Sequence, residues 1–444
     1  MSKLTDEINK YAARNPVRFH VPGHKGLFNP LDVTELFFTD NLYIPDETLS
    51  LILNLEERIS RVFFPHDTGD IKSTVSCGGA TLGIQSALLA AIRKSQKITQ
   101  PQYIICTRNC HISFVNTLAL LDIEPVWVYE NNFDNFDNFN TVLAQNTDKN
   151  IVAAFVTSPD YYGNMCNVRE ISRSCKQYDI PLIVDNAHGS HLAFYQNGAL
   201  HAKNNGADIV IDSVHKTLPS LTGAAVVHAD INYDIRGAMR IFASTSPSYL
   251  ILQSVEAMLD FLETDGRTEH CRLLEDITKF LPGRSPTADP FRIILECENS
   301  GEKLYHFLHE NNITCEFYEK DRVILIPSVF NKSSDFEALA EALTVGADII
   351  RQPSSINPTS IISAVSGRIL SAPTTKRGLS LGEAIKRPCE IVAVNAANGR
   401  ICAEPIFAYP PGIPVILPGE IINAEISAAV AGLRDKICVV SGMI

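Results

Sequence analysis

Asp185 and Lys216 each follow a short apolar run. Residues 181–184 read Pro-Leu-Ile-Val before Asp185, and residues 207–212 read Ala-Asp-Ile-Val-Ile-Asp shortly before Lys216. Such runs are typical of buried parallel strands, and open α/β sheets bind ligands at the carboxyl ends of their strands. A carboxylate and a lysine amine at one sheet edge fit the chemistry of pyridoxal phosphate. Lys216 would form an imine, and Asp185 would face the pyridine nitrogen.

Each of these residues also has a simpler interpretation. A buried, unpaired carboxylate is costly, and a facing pyridinium would offset that cost. Asp185 could instead cap the next helix. A lysine at a strand end is usually just solvated, but Ser213 and His215 lie beside Lys216 and suit a phosphate.

A glycine-rich turn lies upstream, where residues 76–81 read Ser-Cys-Gly-Gly-Ala-Thr between a short strand and a helix. Its backbone amides and the Thr81 hydroxyl could receive a phosphate at the helix N-terminus. A plain tight turn is the alternative for Gly78 and Gly79. The order of glycine-rich turn, histidine, strand-end aspartate and Ser-x-His-Lys favours the cofactor interpretation over these alternatives.

His111 follows the strand-like residues 103–106, which brings an imidazole to the same sheet edge. The ring could stack on a pyridine ring, or it could be a loop histidine that bonds to backbone groups. Cys106, Cys110 and His111 do not make a convincing zinc site, because no fourth ligand is evident. His188 and His191 likewise lack a partner ligand, so we predict no metal site.

The elements that position these residues repeat as strand, turn and helix. Near-continuous apolar strands separated by helices indicate a mostly parallel sheet covered on both faces. We predict seven strands, at residues 74–76, 103–106, 125–129, 151–156, 182–185, 208–212 and 224–227. Beyond about residue 284 the pattern indicates a small α+β domain.

The predicted partition of the chain is an N-terminal segment at 1–50, a large domain at 51–270, a small α+β domain at 271–351 and a C-terminal segment at 352–444. We expect irregular structure in residues 1–50. The asparagine-rich residues 131–140 predict a surface loop anchored by phenylalanines. Proline and glycine in residues 409–420 predict a fixed irregular loop.

Composition limits the class of protein. The chain has 444 residues and a formal charge of −12, from 38 basic and 50 acidic residues. This charge argues against nucleic acid or an anionic membrane as a partner and is compatible with cationic substrates. The 11 cysteines are scattered without C-x-x-C pairs, which favours a reduced setting. We find no signal peptide or membrane span and expect a soluble, cytoplasmic protein.

The glycine-rich turn, His111, Asp185 and the segment around Lys216 resemble those of the fold type I pyridoxal phosphate enzymes. Within these enzymes the chain resembles the bacterial Orn/Lys/Arg decarboxylase family. Residues 19–26, Phe-His-Val-Pro-Gly-His-Lys-Gly, look like the family's amino-terminal signature. Residues 185–191 and 213–217 are similar to its cofactor core. Residues 157–163, 244–249 and 409–420 are similar to further family motifs, and the last of these distinguishes the family from aminotransferases. The resemblance covers nearly the whole chain.

The resemblance implies pyridoxal 5'-phosphate as cofactor and a basic amino acid as substrate, with Lys216 as the Schiff-base lysine. Asp185 would face the pyridine nitrogen and His111 the ring. Glu420 would belong to the substrate pocket. Thr245 or Ser246 would contact the phosphate across a dimer interface. The full set of implied cofactor-binding residues is Gly79, Ala80, Thr81, His111, Asp185, Ala187, His188, Ser213, His215, Lys216, Thr245 and Ser246.

The implied reaction is decarboxylation of arginine, lysine or ornithine to the amine and carbon dioxide. Transamination, carbon–sulfur lysis, and a cofactor-binding protein with a regulatory role are the alternatives. The phosphate turn departs from the family pattern, because Ala80 stands where a hydroxyl residue is usual. The chain begins almost at the signature, so we expect a short form without the amino-terminal wing domain, assembled as a homodimer.

Overall fold

The computed structural model describes residues 13–25, 45–95, 100–128, 136–282, 287–346, 376–408 and 413–442. Its largest element is a seven-stranded sheet, as the sequence predicts. The strands along the chain are β2 (Ile71–Ser76), β3 (Gln102–Thr107), β4 (Ile123–Val128), β5 (Ile151–Thr157), β6 (Leu182–Asp185), β7 (Ile209–Asp212) and β8 (Ala225–Asp230).

The order across this sheet is β2-β8-β7-β6-β5-β3-β4. Strand β8 runs antiparallel to both β2 and β7, and the other neighbouring strands are parallel. Strands β6 and β7 therefore end side by side, with Asp185 paired to Ile211. This pairing brings Asp185 close to the segment that carries Lys216.

Helices cover both faces of the sheet. Successive residues of a strand point to opposite faces and so pack against different helices. Ile104 packs with the cluster that contains Leu88 and Phe114, whereas Ile105 packs with the cluster that contains Ile171. The helices of this unit are α1 (Pro45–Phe63), α2 (Gly79–Ser95), α3 (Ile112–Leu121), α4 (Phe136–Gln145), α5 (Val168–Gln177), α6 (Val214–Thr217), α7 (Ile235–Phe242) and α8 (Tyr249–Phe261). A π-helical turn, Leu262–Gly266, joins α8 to α9 (Arg267–Phe280).

A second apolar core lies in the following part of the chain. There β9 (Ile293–Glu296), β11 (Phe317–Glu319) and β12 (Arg322–Leu325) form an antiparallel sheet of order β11-β12-β9. Helices α10 (Gly301–Glu310) and α11 (Ser333–Val345) contribute to the same core. The α+β pattern predicted beyond residue 284 agrees with these elements, whereas the domain boundaries themselves stay a prediction.

Two segments near the N-terminus are more regular than we expected. Strand β1 (Val17–Phe19) pairs in parallel with β10 (Ile313–Cys315), and α1 begins at Pro45. The prediction of irregular structure through residue 50 is therefore wrong for these two stretches. Local sequence could not predict β1, because this three-residue strand forms by pairing with a strand almost 300 positions away in the sequence.

Two predicted loops are also partly regular. Helix α4 begins at Phe136 and contains the buried Phe139, so the loop predicted at 131–140 is wrong from residue 136 onward. Residues 131–135 lie outside the described residues. In the segment 409–420, β15 (Ile413–Ile416) pairs with β14 (Ile406–Ala408). The prediction of an irregular loop throughout this segment is therefore wrong. Residues 409–412 lie outside the described residues.

The C-terminal part has its own apolar cluster. Its elements are α12 (Leu381–Lys386), β13 (Cys389–Ala393), α13 (Ala424–Ala431) and β16 (Lys436–Val440), with β13 paired antiparallel to β16. Among the described residues, no helix is both long enough and apolar enough to cross a membrane.

Candidate active site

Lys216 lies in the one-turn helix α6, directly after β7. Its Nζ atom is 3.0 Å from Nε2 of His188, a residue that follows β6. Burial lowers the pKa of Lys216 below its ordinary value, and the negative charge of Asp185 partly opposes this shift. The structure thus brings Lys216 and Asp185 to the same sheet edge, and it adds His188 as a direct neighbour of the amine.

Asp185 is buried at the end of β6, with 3% of its surface exposed. Its Oδ1 atom accepts a hydrogen bond of 3.1 Å from the backbone N–H of Ala187. Burial raises the pKa of Asp185, although the charge of Lys216 and the Ala187 hydrogen bond oppose the change. A carboxylate under this desolvation gains from a cationic partner such as a protonated pyridine nitrogen.

His111 is the N-cap of α3, and its Nδ1 atom accepts the backbone N–H of Ser113 at 3.2 Å. The residue is exposed by its accessible surface, but the imidazole is partly desolvated. This desolvation, together with the charge of Lys216, lowers the pKa of His111 to about 4. The imidazole is therefore neutral near pH 7, and the capping bond fixes its orientation.

His188 lies between Lys216 and Tyr161. The rings of His188 and Tyr161 meet edge to face, with centroids 5.5 Å apart. Burial and the charge of Lys216 hold the pKa of His188 well below its ordinary value. A neutral imidazole at 3.0 Å can accept a hydrogen bond from the lysine amine.

The glycine-rich turn leads directly into α2, which begins at Gly79. The amide of Gly79 already donates to the carbonyl of Gly223 at 2.8 Å, so this N–H is engaged within the protein. Gly79 has φ +68, a left-handed conformation that favours glycine. The free donors at this helix end are therefore the first-turn amides that follow, including those of Ala80 and Thr81.

A cavity of about 770 Å³ opens beside this turn. It is lined by Gly78 and Thr81 from the turn, and by Thr245 and Ser246 from the segment before α8. The resemblance assigns Thr245 and Ser246 to the partner's phosphate site, and here both also line a cavity beside the glycine-rich turn of their own chain.

Ser213 and His215 precede Lys216 by three positions and by one position. Ser213 is buried, and Nδ1 of His215 donates to the carbonyl of Ala224 at 2.9 Å. This bond fixes the tautomer, so Nε2 is the acceptor nitrogen of a neutral His215 ring. Burial lowers the pKa of His215.

Residues 19–25 of the signature pack against this centre, and Gly26 lies outside the described residues. The Gly23 amide donates to the carbonyl of His215 at 2.9 Å, and a Cβ at Gly23 would lie 2.6 Å from the carbonyl oxygen of Leu218. Lys25 Nζ donates to the carbonyl of Ile326 at 2.7 Å. Glycine is required at position 23 because the signature fits tightly between α6 and the second core.

Glu420 forms a buried ion pair with Arg108, with nitrogen–oxygen distances of 2.9 and 3.1 Å. Its Oε2 atom also accepts the amide of Leu417 at 2.9 Å. The pair joins the end of β3 to the C-terminal part of the chain. The structure therefore places Glu420 in a contact within the protein, and its role toward a substrate stays a prediction.

Three residues near the site were missed from the sequence. Asp212 ends β7 and is buried like Asp185, and its position after an apolar run was a usable signal. Glu316 accepts the hydroxyl of Tyr161 at 3.1 Å and its charge acts on Lys216. Arg292 is buried and its charge acts on Lys216, and no local pattern marks it or Glu316.

The cysteines near the site do not form a metal centre among the residues described. No group of three or more histidine, cysteine or acidic side chains is arranged to hold a metal ion in that part of the chain. Burial raises the pKa of the Cys110 thiol to about 12, which disfavours the thiolate form that binds metals.

Residues 2–282 match the major domain of the Orn/Lys/Arg decarboxylases, and residues 368–435 match the C-terminal domain of the same family. The first match alone spans more than half of the chain. The chain belongs to the Orn/Lys/Arg decarboxylase family. The strand-end lysine and aspartate described above lie within the major domain of this family.

Two Bacillus subtilis (strain 168) proteins are similar over most of their length. The uncharacterised protein YaaO is 28% identical, with 95% of this chain and 92% of that protein covered. An arginine decarboxylase is 25% identical, with 94% and 90% covered. Decarboxylase activity is thus supported at the level of the family.

Solved structures agree with the fold. The constitutive lysine decarboxylase of Escherichia coli superposes with a TM-score of 0.68 and 19% identity, covering 88% of this chain and 72% of that chain. A structure of SPT with PLP superposes with a TM-score of 0.53 and 14% identity, covering 67% and 76%. The fold is that of the fold type I pyridoxal phosphate enzymes, as the sequence predicts.

Proposed function

We propose that this protein decarboxylates a basic amino acid with pyridoxal 5'-phosphate bound at Lys216. One observation carries the proposal: Lys216 and the buried Asp185 lie at the same sheet edge, close enough for each charge to shift the pKa of the other. The family match and the names of the relatives supply the reaction and the class of substrate.

The residues present fit the cofactor. Asp185 would hold the proton on the pyridine nitrogen, and the neutral ring of His111 would lie against the ring face. The first-turn amides of α2 and the side chains of Thr81 and Ser213 would receive the phosphate. When bound, pyridoxal phosphate supplies the electron sink that accepts the charge left at Cα as carbon dioxide departs.

Lys216 is suited to bond a carbonyl carbon. An amine attacks as the neutral base, and burial lowers the pKa of Lys216 and so enlarges the neutral fraction at physiological pH. His188, 3.0 Å away, would accept a hydrogen bond from the amine and so orient it. After carbon dioxide leaves, Lys216 or a neighbouring histidine would return a proton to Cα.

Ala187 would act through Asp185, because its amide fixes the carboxylate. Thr245 and Ser246 would contact the phosphate from the cavity beside the turn, or would do so from the partner in a homodimer. We further propose a soluble, cytoplasmic enzyme that acts on small cationic molecules. The negative net charge of the chain supports such a substrate.

The test starts with purified protein reconstituted with pyridoxal phosphate. We expect a borohydride-sensitive imine absorbance that is lost in Lys216→Ala, and retained in Lys320→Ala, which removes an exposed lysine. The reconstituted protein is then incubated separately with arginine, lysine and ornithine, and products are identified by mass.

Agmatine, cadaverine or putrescine would support the proposal and name the substrate. If keto acids are formed instead, the reaction is transamination and the proposed decarboxylation is wrong. Bound cofactor without turnover of any amino acid in a broad panel would favour a regulatory, cofactor-binding role instead.

A further inference from the structure

Arg108 and Glu420 join two parts of the chain that match separate domains of the family, at residues 2–282 and 368–435. Nη1 and Nη2 of Arg108 lie 2.9 and 3.1 Å from the two carboxylate oxygens of Glu420, the fork geometry that holds a carboxylate in one orientation. The two side chains are 3% and 2% exposed. The ring of Trp127 covers the guanidinium, with 5.5 Å between the ring centroid and Cζ. The contact is therefore fixed in geometry and shielded from water.

Both carboxylate oxygens of Glu420 are used within the protein. Oε1 accepts from Arg108, and Oε2 accepts from Arg108 and from the amide of Leu417. The backbone of Glu420 is also held, because its carbonyl accepts the amide of Cys402 at 2.9 Å. A substrate cation could use this carboxylate only by displacing Arg108, and that would leave a buried guanidinium without its counter-charge. These contacts direct the charge of Glu420 to Arg108 rather than to a ligand.

Arg108 begins the four-residue loop between β3 and α3, and His111 ends it. The loop is bonded internally, because the amide of Cys110 donates to the carbonyl of Arg108 at 2.9 Å. The charges of Arg108 and Asp185 both act on the pKa of the Cys110 thiol. The charge of Lys216 acts on the pKa of His111. The loop thus runs from the buried ion pair to the sheet edge that carries the strand-end aspartate and lysine.

The C-terminal part of the chain also packs against α3, the helix that follows this loop. Leu381 of α12 and Leu417 belong to the apolar cluster that contains Phe114 of α3. A Cβ on Gly382 would lie 2.5 Å from Oδ1 of Asp122, so α12 approaches the C-terminal end of α3 closely. The C-terminal part therefore contacts α3 along its length, and the buried ion pair extends this contact to the start of the loop.

We propose that Glu420 and Arg108 are positioning residues that hold His111 against the ring of the cofactor. This inference rests on the proposed function, because it takes the cofactor ring to lie beside His111. The ion pair fixes the start of the loop, and the capping bond from Ser113 fixes its end. A displacement of about 1 Å caused far from the reacting atoms can lower a rate about 100-fold. The C-terminal part of the chain thus completes the active site through His111 and not by binding the substrate.

The first measurement needs neither cofactor nor turnover. Protein with isotope-labelled histidine is titrated by NMR, and His111→Ala identifies the His111 signal. We expect a wild-type His111 pKa of about 4. In Glu420→Gln the loop is released and the ring gains water, so this pKa should rise toward the ordinary value of about 6.5.

The sign of this change separates positioning from direct electrostatics. Removal of a negative charge by itself lowers the pKa of a histidine, so a rise reports release of the ring. Glu390→Gln removes an exposed, ion-paired glutamate from the C-terminal part and should leave the His111 pKa unchanged. An unchanged or lower pKa in Glu420→Gln would overturn the inference.

The second measurement is a double-mutant cycle on protein loaded with pyridoxal phosphate, with kcat counted per bound cofactor. We expect Glu420→Gln to lower kcat by about tenfold to 100-fold, while KM changes less than about twofold. In a His111→Ala background the same substitution should change kcat less than about twofold, because the residue through which it acts is gone. Arg108→Lys keeps the charge but loses the fork, and its kcat should lie between those of the wild type and Glu420→Gln.

Two results of this cycle would overturn the inference. A raised KM with kcat retained in Glu420→Gln would make Glu420 a substrate-binding residue. Equal losses of kcat with and without His111 would show that the ion pair acts independently of that ring. If Glu420→Gln does not fold, Glu420→Asp takes its place in both measurements, because it keeps the charge and shortens the side chain.

The failure of the proposed function is separable from the failure of this inference. If the protein binds pyridoxal phosphate but decarboxylates no basic amino acid, the cycle is measured on the dissociation constant of the cofactor, by absorbance titration of cofactor-free protein. Glu420→Gln and His111→Ala should each weaken binding by about twofold to tenfold, as for a lost ring contact. The double variant should bind no more weakly than His111→Ala. Multiplied losses in the double variant would overturn the inference.

Discussion

Asp185 and Asp212 end neighbouring parallel strands, and both are buried, but their surroundings differ. Asp212 accepts a hydrogen bond from Asn186 and meets Nε2 of both His201 and His228, at 3.0 and 3.2 Å. Asp185 accepts the amide of Ala187. Burial raises the pKa of Asp185, whereas the two histidines outweigh burial and hold the pKa of Asp212 below its ordinary value.

The difference separates a structural carboxylate from a functional one. The oxygens of Asp212 are used by side chains that stay with the fold, so its charge is balanced within the protein. Asp185 keeps acceptor capacity at a sheet edge beside Lys216, where an external cationic group can use it. The same contrast holds for two buried arginines, since Arg108 is paired with Glu420 and Arg292 has unpartnered nitrogens.

The largest effect should come from Asp185→Asn. We expect this substitution to reduce decarboxylation by about 10²-fold to 10⁴-fold, because an amide cannot stabilise a protonated pyridine nitrogen as a carboxylate does. Its stability should not fall, since the substitution removes a desolvated charge. Turnover by product mass and urea unfolding of the cofactor-free protein measure the two effects. Near wild-type activity of this variant would show that Asp185 is not a functional carboxylate.

Asp212→Asn makes the same chemical change one strand away. We expect a loss of about 3–5 kcal/mol in the free energy of unfolding, because His201 and His228 would keep their positions without the buried carboxylate between them. Urea unfolding beside Asp185→Asn provides the matched control. Equal stability losses in the two variants would contradict the assignment of Asp212 as the structural carboxylate.

The pH dependence should differ in sign between the two variants. The folded pKa of Asp185 is raised, so the wild type loses stability as pH rises from the unfolded value of about 3.9 toward the folded pKa. Asp185→Asn should therefore gain stability relative to the wild type in that range, by at most about 1.4 kcal/mol per pH unit.

The folded pKa of Asp212 is lowered, so its contribution is present above about pH 3.9 and is lost as pH falls toward the folded pKa. The deficit of Asp212→Asn should accordingly shrink on acidification below about pH 4. Urea unfolding of cofactor-free protein across pH 3–6, a range of about three units around these values, gives both slopes. Slopes of equal sign would show that the two carboxylates have similar environments.

Much of the fold could be predicted from local pattern. Buried parallel strands such as β5 and β7 are nearly continuous apolar runs, and the glycine-rich turn before α2 marks a strand-to-helix junction. The short strand β1 could not be predicted, because it exists by pairing with β10. Strand β15 was hidden by the proline within it, and helix α4 by turn-forming residues at its start.

The sequence by itself determined the sheet, the strand-end positions of Asp185 and Lys216, and the family, because each depends on residues close together along the chain. The tertiary structure decided which of the two strand-end aspartates keeps acceptor capacity and that Glu420 pairs with Arg108. It also brought Arg292 close enough for its charge to act on Lys216. These outcomes depend on contacts between residues far apart in the sequence. Hydrogen-bond satisfaction in a buried site is set by such contacts, and no local spacing records it.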